Sequence, residues 1–347
     1  MRPYGPPMPY GRPMPPPRSG GGGVAAAFTI LGVFIVVGLL VAAGFAASSS
    51  DSSTTAYTSP NTPSYTYSPS PTTSYSSSPT TASRPPSTSA RSTTTKRTTT
   101  STTPAGPKPV AALATNPIFA HSDTGLINIT CGYPTWAPNL AAAQAFFNAA
   151  SDCLGRMWSN LLAYENLPFS PPSVNVTATM AEATSPCTGG VSANWAAYYC
   201  SANKAIYMPM EAFMRYEDPY DSVTFLAVFA HEYAHHVEFL TGIMGKAHDD
   251  MYDAGRQSPV GLEISRRLEL NAQCFGGMFI GSSAFVGTIS GADAEAVVQD
   301  NYGRGDKAGD MRDHGSKQNY GAWYEHGYRN NRAQMCNTWA APSDAVA

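Results

Sequence analysis

The sequence predicts an α+β domain with a helical core and a small sheet over residues 109–347. Three long stretches carry apolar residues at helical spacing: 139–167, 221–244 and 261–285. Shorter strand-like runs lie mostly between the first two helical stretches, at 173–180, 195–200 and 204–210. A helical core with a small sheet from the first half of this region predicts an α+β architecture.

Three regions that precede this domain have compositions that do not favour a globular fold. Residues 1–23 are rich in Pro and Gly, and we expect them to form an extended, disordered cytoplasmic tail. Residues 24–47 contain no charged side chain, and a helix of this length can cross about 30 Å of hydrocarbon. Residues 48–108 are dominated by Ser, Thr and Pro, which predicts a solvated stalk.

The charges that flank the apolar span predict its orientation. Arg2, Arg12 and Arg18 precede the span, and no Lys or Arg follows it until Arg84. The positive-inside rule therefore predicts a cytoplasmic N-terminus, a single-pass anchor in the cell membrane and an extracytoplasmic domain. A cleaved signal peptide is the alternative, but the apolar run is longer than the ~7–15 residues of a signal core.

The net charge and the cysteines indicate which kinds of protein the sequence is compatible with. The net charge of -3 lacks the basic footprint of a nucleic-acid-binding protein. All six cysteines lie beyond the apolar span, and an even number in an exported domain indicates disulfides. A zinc–thiolate cluster is the alternative, although the chain has no CxxC pair. We expect Cys131–Cys153 and Cys187–Cys200 because these cysteines are close in the sequence. The two cysteines that remain then give the third pair, Cys274–Cys336.

The stretch VFAHEYAHHVEFL, residues 228–240, carries the main chemical signal. His231, Glu232 and His235 fit the pattern HExxH inside a predicted helix. Residues four apart share a helical face, so the two histidines can bind one Zn²⁺ from consecutive turns. Glu232 lies one step round the helix, where it can act as general base on a water molecule activated by zinc. A buried helix with paired histidines and no metal is the alternative.

The third zinc ligand has to come from elsewhere in the chain. The pattern HExxHxxGxxH fails, because Glu238 and Thr241 occupy its later positions. We expect Glu269, in the segment ELNAQC of the third helical stretch, to complete the site. Gln273 shares a face with it and could accept a hydrogen bond from a ligand histidine. Four other carboxylates are alternative ligands: Glu238, Asp249, Asp250 and Glu263. Alternatively, Glu269 forms a surface ion pair with Arg266 or Arg267 and binds no metal.

Peptide hydrolysis also needs a donor for the developing oxyanion. His314, in the segment DHGS, is the expected donor, with Tyr320, Tyr324 and His326 as alternatives. His236 points about 100° away from His235 round the helix. We therefore expect it to pack behind the ligands rather than bind zinc. The strand at 204–210 is expected to form the edge along which an extended peptide lies.

Several motifs together resemble a known family. AHEYAHHVEFLTGIMG followed by RRLELNAQCFGGMF is similar to the bacterial "Putative neutral zinc metallopeptidase" family, whose members carry HEYGHH-type and ELQADC-type helices. The resemblance covers most of 110–340, including HGSKQNYGAWYEHGY and QMCNTW, and NPIF resembles actinobacterial members. It implies a zincin-like, gluzincin-like fold with His231, His235 and Glu269 as ligands of one Zn²⁺ and Glu232 as base. The usual Asp and Gly of the family are Gln273 and Ala234 here.

These observations predict a membrane-anchored zinc metallopeptidase that hydrolyses peptide or protein substrates in the cell envelope. Replacement of the family Asp by Gln273 is expected to weaken zinc binding or alter activity. Two alternatives remain open. One is a catalytically silent binding or scaffold module with the same fold. The other is a zinc amidase or peptidase that acts on peptidoglycan peptides, for which a long stalk would be suitable.

Overall fold

The computed structural model of the chain describes residues 106–189 and 197–347. The predicted cytoplasmic tail, the apolar span 24–47 and almost all of the predicted stalk lie outside these residues. In the part of the chain that is described, no helix combines the length and the apolar character needed to span a bilayer. The predicted membrane anchor therefore stays a prediction from the sequence.

Seven α-helices and a three-stranded sheet make up the described domain, which confirms a mixed helix and strand composition. The helices are α1 (Leu140–Tyr164), α2 (Met210–Tyr216), α3 (Ser222–Thr241), α4 (Ile243–Ala254), α5 (Pro259–Phe285), α6 (Gly291–Asn301) and α7 (Lys317–Asn330). The strands are β1 (Ser173–Thr177), β2 (Tyr198–Cys200) and β3 (Ala205–Pro209). The three predicted long helices correspond to α1, α3 and α5, whereas α2, α4, α6 and α7 were not predicted.

Local signals in the sequence set both ends of α3, the helix with the HExxH pattern. The side chain of Asp221 accepts hydrogen bonds from the backbone N–H groups of Val223 and Thr224, as an N-cap does. Gly242 ends the helix with φ 91°, a conformation that favours glycine. A Cβ atom at Gly242 would lie only 2.6 Å from the carbonyl oxygen of Val110, so this position also requires close backbone approach.

The sheet has the strand order β1-β3-β2. β1 pairs with β3 in parallel, and β2 pairs with β3 in antiparallel orientation, with Tyr199 opposite Ile206. The prediction that the strand at 204–210 forms the edge is therefore wrong, because β3 is paired on both sides. Among the described residues, β2 is an edge strand instead, with no strand paired to the side that faces away from β3.

Aromatic side chains of α1 pack against both α3 and α5. The rings of Phe147 in α1 and Phe229 in α3 stack with centroids 5.2 Å apart, and both side chains are fully buried. Trp158 of α1 meets Phe275 of α5 edge to face at 5.0 Å. Contacts of this kind fix helix positions beyond what burial alone provides. Helix α1 therefore packs against both helices that carry the candidate ligands.

Helices α5 and α7 approach closely through glycines. A Cβ atom at Gly277 would lie 2.1 Å from the carbonyl oxygen of Tyr324, and one at Gly281 would lie 2.2 Å from that of Tyr328. On the opposite helix, a Cβ atom at Gly327 would lie 1.9 Å from the carbonyl oxygen of Cys274. Only glycine permits this backbone separation. The seam places α7, which begins just after His314, against the helix that carries Glu269.

The three predicted disulfides are present. Cys131 is bonded to Cys153, Cys187 to Cys200, and Cys274 to Cys336. No free cysteine remains among the described residues. Cys187 is exposed, whereas the other five are buried. The Cys187–Cys200 bond links the end of the first described range, 106–189, to the edge strand β2.

Candidate metal centre

Three side chains from α3 and α5 converge at one point. His231 and His235 are separated by one turn of α3, and their ring centroids are 4.6 Å apart. Glu269 of α5 faces them, with its Oε2 atom 3.4 Å from Nε2 of His231 and 3.4 Å from Nε2 of His235. One ligand atom from each of the three residues lies within 4.8 Å of the others. The structure thus brings together the three residues that the sequence selected as ligands.

This donor set fits a tetrahedral Zn²⁺ ion. Zinc binds imidazole nitrogen and carboxylate oxygen at about 2.0–2.1 Å, so tetrahedral ligand atoms lie about 3.4 Å from each other. The two measured His–Glu separations match this value. Two histidines and one glutamate are also a known ligand set of catalytic zinc, which keeps a fourth position open.

The carboxyl group of Glu269 and the nearby imidazole groups shift each other's pKa values. Burial alone would raise the pKa of the Glu269 carboxyl, but the charges of His235 and His314 outweigh burial and hold this pKa well below its usual range. Burial alone would lower the pKa of His235, but Glu269 and Glu238 raise it well above its usual value. The site therefore favours an ionised carboxylate paired with positive charge, which a bound cation supplies equally well.

A second carboxylate fixes the orientation of His235. The Nδ1 atom of His235 donates to Oε2 of Glu238 at 2.8 Å, so Nε2 is directed towards Glu269. Glu238 is completely buried, and burial raises the pKa of its carboxyl to about 7. Such a carboxylate behind a ligand histidine fixes the tautomer and increases the basicity of the imidazole. Sequence reasoning treated Glu238 only as an alternative ligand, although its spacing from His235 places both on one face.

Gln273 does not form the hydrogen bond that was predicted for it. Its amide oxygen and the Nδ1 atom of His231 are both buried, and neither has a hydrogen-bond partner among the described residues. Burial raises the pKa of the nearby Tyr320 hydroxyl group, and Gln273 only partly opposes this rise. The two histidines therefore differ, because Nδ1 of His235 is bonded to Glu238 whereas Nδ1 of His231 has no partner among the described residues.

Glu232 lies beside the centre without joining it. Its side chain is buried, and burial raises the pKa of its carboxyl, while His231 and His235 lower it. Glu269 raises this pKa further, and a backbone hydrogen bond from Tyr199 lowers it. A raised pKa suits a carboxylate that has to take up a proton near neutral pH.

His314 reaches the centre from the loop before α7. Its Nδ1 atom lies 2.8 Å from Oδ1 of Asp313, and its Nε2 atom lies 3.9 Å from Oε2 of Glu269. Asp306 holds the loop by accepting from the backbone N–H groups of His314 and Gly315. Burial alone would lower the pKa of His314, but Glu269 and Asp313 outweigh burial and raise it to about 9. Asp306 and Asp313 were not predicted as part of the site.

A cavity of about 490 Å³ opens onto these residues. The residues that line it include the three candidate ligands together with Glu232, Gln273, His314 and Tyr320. Its wall on one side comes from β2 and its flanks, including Tyr199 and Ser201. Tyr324 and His326 do not line this cavity, so Tyr320 is the one alternative oxyanion donor that reaches it.

Two of the carboxylates considered as alternative ligands form ion pairs with basic side chains. Glu263 pairs with Arg267 at 2.7 Å, and Lys246 pairs with Asp250. Asp249 is exposed on α4. Arg266 donates to the backbone carbonyl groups of Val346 and Arg312, so neither arginine forms the alternative ion pair with Glu269.

A family model described as "Putative neutral zinc metallopeptidase" matches residues 139–339. The chain belongs to this family. Family membership implies a zinc-dependent hydrolase, and the convergence of two histidines and one glutamate agrees with that implication. The matched region begins at the N-cap of α1 and ends after α7, so it includes every residue of the centre.

Two curated relatives match part of the chain. They are the proteins named "Uncharacterized protein YpfJ" from Escherichia coli K12 and from Escherichia coli O6:H1, each 28% identical over 155 residues. The match covers 41% of this chain and 53% of each relative, so the chain spans about half the length of the curated relatives it matches. No solved structure matches the chain.

Proposed function

We propose that this member of the zinc metallopeptidase family hydrolyses peptide bonds, with His231, His235 and Glu269 as zinc ligands and Glu232 as general base. The observation that carries the proposal is the pair of 3.4 Å separations between Glu269 and the two histidines, beside a buried glutamate. Zinc in this position supplies a water of lowered pKa and polarises the substrate carbonyl.

The residues of the chain have separate roles in this proposal. Glu232 takes a proton from the attacking water and returns it to the leaving amine. His314 donates from Nε2 to the oxygen of the substrate carbonyl as negative charge develops there. Its other nitrogen is bound to Asp313, which fixes the direction of the ring. Tyr320 lines the same cavity and is the alternative donor.

The substrate is proposed to bind as an extended peptide beside β2. An extended chain can add to the unpaired side of an edge strand through backbone hydrogen bonds. Within the described ranges 106–189 and 197–347, β2 has such a side, and Tyr199 and Ser201 line the cavity next to the proposed zinc ligands. This arrangement favours an unfolded or flexible peptide segment over a folded surface.

The domain is proposed to act outside the cytoplasm, tethered by residues 24–47. The support comes from the uncharged span, from the three arginines before it, and from three disulfides in the described domain. Disulfides persist in oxidising compartments. Protease treatment of intact cells tests this directly, because an extracytoplasmic domain is digested or released while a cytoplasmic one is protected.

The first experiment measures zinc content and proteolysis of the purified chain with its disulfides intact. We expect one zinc per chain in the parent, greatly reduced occupancy in Glu269→Ala and unchanged occupancy in Glu263→Ala, a control on the same helix. Glu232→Gln is expected to keep zinc and lose cleavage of an unfolded protein by at least about 10²-fold.

Each outcome of this experiment selects one function. A parent that binds no zinc after incubation with the metal would overturn the proposal. Zinc binding with cleavage of peptidoglycan peptides but not of unfolded protein would favour the amidase. Zinc binding with no cleavage of either substrate would favour a silent binding module.

A further inference from the structure

The third histidine of the segment HEYAHH has partners of its own. His236 is completely buried, and both of its ring nitrogens are hydrogen-bonded. Nδ1 lies 2.9 Å from the hydroxyl oxygen of Tyr199, and Nε2 lies 2.7 Å from the carbonyl oxygen of Ser170. The side chain thus connects α3 to the edge strand β2 and to the loop before β1.

The chemistry of these partners fixes the direction of both bonds. The Ser170 carbonyl can only accept, so Nε2 of His236 carries the proton. The Nδ1 atom of the neutral ring therefore accepts from the hydroxyl group of Tyr199. The tyrosine ring also meets the His236 ring edge to face, with centroids 5.3 Å apart. Tyr199 is consequently held by both its ring and its hydroxyl group.

Tyr199 makes a second connection through its backbone. Burial raises the pKa of the Glu232 carboxyl, and the nearby backbone N–H group of Tyr199 opposes this rise. Tyr199 and Glu232 also line the same cavity. One residue of β2 thus has its backbone beside the proposed general base and its side chain bound to His236. Because Glu232 and His236 lie on the same helix, this closes a loop of contacts between α3 and the edge strand.

We propose that His236 and Tyr199 are positioning residues, which hold the edge strand against α3 so that the strand stays beside Glu232 at the cavity. The inference rests on the peptidase function proposed above and assigns a role to two residues outside the zinc ligands and the proton-transfer groups. Reactions that depend on proton transfer lose rate steeply when the base is displaced by a fraction of an ångström to about 1 Å.

The test is Tyr199→Phe, which removes one hydroxyl group and keeps the ring and the backbone. We expect kcat for a fluorogenic peptide to fall about tenfold, with KM changed less than about twofold and zinc content unchanged. His236→Ala is expected to lose at least as much. His236→Gln offers one acceptor and one donor, as neutral histidine does, and is expected to restore part of the rate.

Tyr233→Phe is the matched control. Tyr233 is buried next to His236, with ring centroids 5.8 Å apart, and its hydroxyl group has no hydrogen-bond partner among the described residues. Tyr233→Phe likewise removes one phenolic hydroxyl group, but from α3 rather than from β2, so kcat is expected to stay at the parental value. Amide hydrogen exchange of residues 198–200 is expected to accelerate in Tyr199→Phe and to stay unchanged in Tyr233→Phe.

The outcomes separate the two proposals. A parent that cleaves peptides, together with Tyr199→Phe behaving like Tyr233→Phe in both kcat and exchange, overturns the positioning role and leaves the peptidase function intact. A rise in KM with kcat unchanged also overturns it, because the strand would then serve substrate binding alone. A zinc-loaded parent that cleaves no peptide ends both proposals.

Discussion

Replacing Glu238 with Gln measures how much the carboxylate behind His235 contributes to zinc affinity. The substitution preserves size and the acceptor oxygen, so His235 keeps a hydrogen bond from Nδ1. It removes only the negative charge from a side chain that is completely buried and 2.8 Å from its partner. Any change in metal affinity therefore reports the charge rather than a lost contact.

The expected magnitude follows from the strengths of the two bonds. A hydrogen bond to a charged group contributes about 1.5–3 kcal/mol and a neutral one about 0.5–1.5 kcal/mol, so the difference is about 1–1.5 kcal/mol. That difference corresponds to a zinc dissociation constant raised about tenfold. The value lies at the lower end of the 10–100-fold losses typical of residues that support metal ligands.

Competition with a chromophoric chelator measures the constant. Glu263→Gln is the control, because it makes the same charge change on α5 at a residue paired with Arg267. The metal-free form of Glu238→Gln should unfold at the parental temperature or above it, since a buried carboxyl group disappears. A zinc affinity within twofold of the parent would refute the assignment of Glu238 as the residue that supports His235.

Three further predictions concern packing, the cavity rim and the oxyanion donor. Gly277→Ala should lower the free energy of unfolding by about 1–3 kcal/mol, because α7 leaves no room for a Cβ atom. Gly245→Ala has open space at its Cβ position and should raise the free energy of unfolding by about 0.5–1 kcal/mol. Urea titration of both variants measures the two changes. Replacing Cys187 and Cys200 with Ser should reduce stability by about 3 kcal/mol, measured in the same way, because the bond closes a short loop. His314→Gln should lower kcat by about 10²–10³-fold at unchanged zinc content, and an unchanged kcat would transfer the role to Tyr320.

Predictions that depend on local spacing matched the structure well. The four-residue interval of His231 and His235, the cap at Asp221 and the glycine at 242 all act within a few residues along α3. Glu269 could be selected because a helix of suitable length follows α3 in the sequence. These features require only helical geometry and the preference of zinc for particular ligands.

Predictions that depend on long-range pairing were less successful. The run at 204–210 is the most apolar strand candidate, yet its position in the middle of the sheet depends on β1 and β2 both joining it. Helix α7 was not predicted, because its glycines lower intrinsic helix propensity. One of them, Gly327, lets it approach α5, because a Cβ atom there would lie 1.9 Å from the carbonyl oxygen of Cys274. The advantage of such a residue appears only when its partner helix is known.

The consecutive histidines 235 and 236 show how one helix creates two different environments. Each residue advances about 100° round the helix. His235 consequently faces two carboxylates, Glu269 and Glu238, which raise its pKa well above the usual value despite burial. His236 faces a carbonyl and a hydroxyl group, and burial lowers its pKa to about 4, assisted by the charge of Lys204. A neutral ring at 236 can accept from Tyr199, which a protonated ring could not do. Because its described hydrogen-bond partners are a hydroxyl group and a carbonyl rather than a carboxylate, His236 can hold the edge strand beside the candidate metal centre.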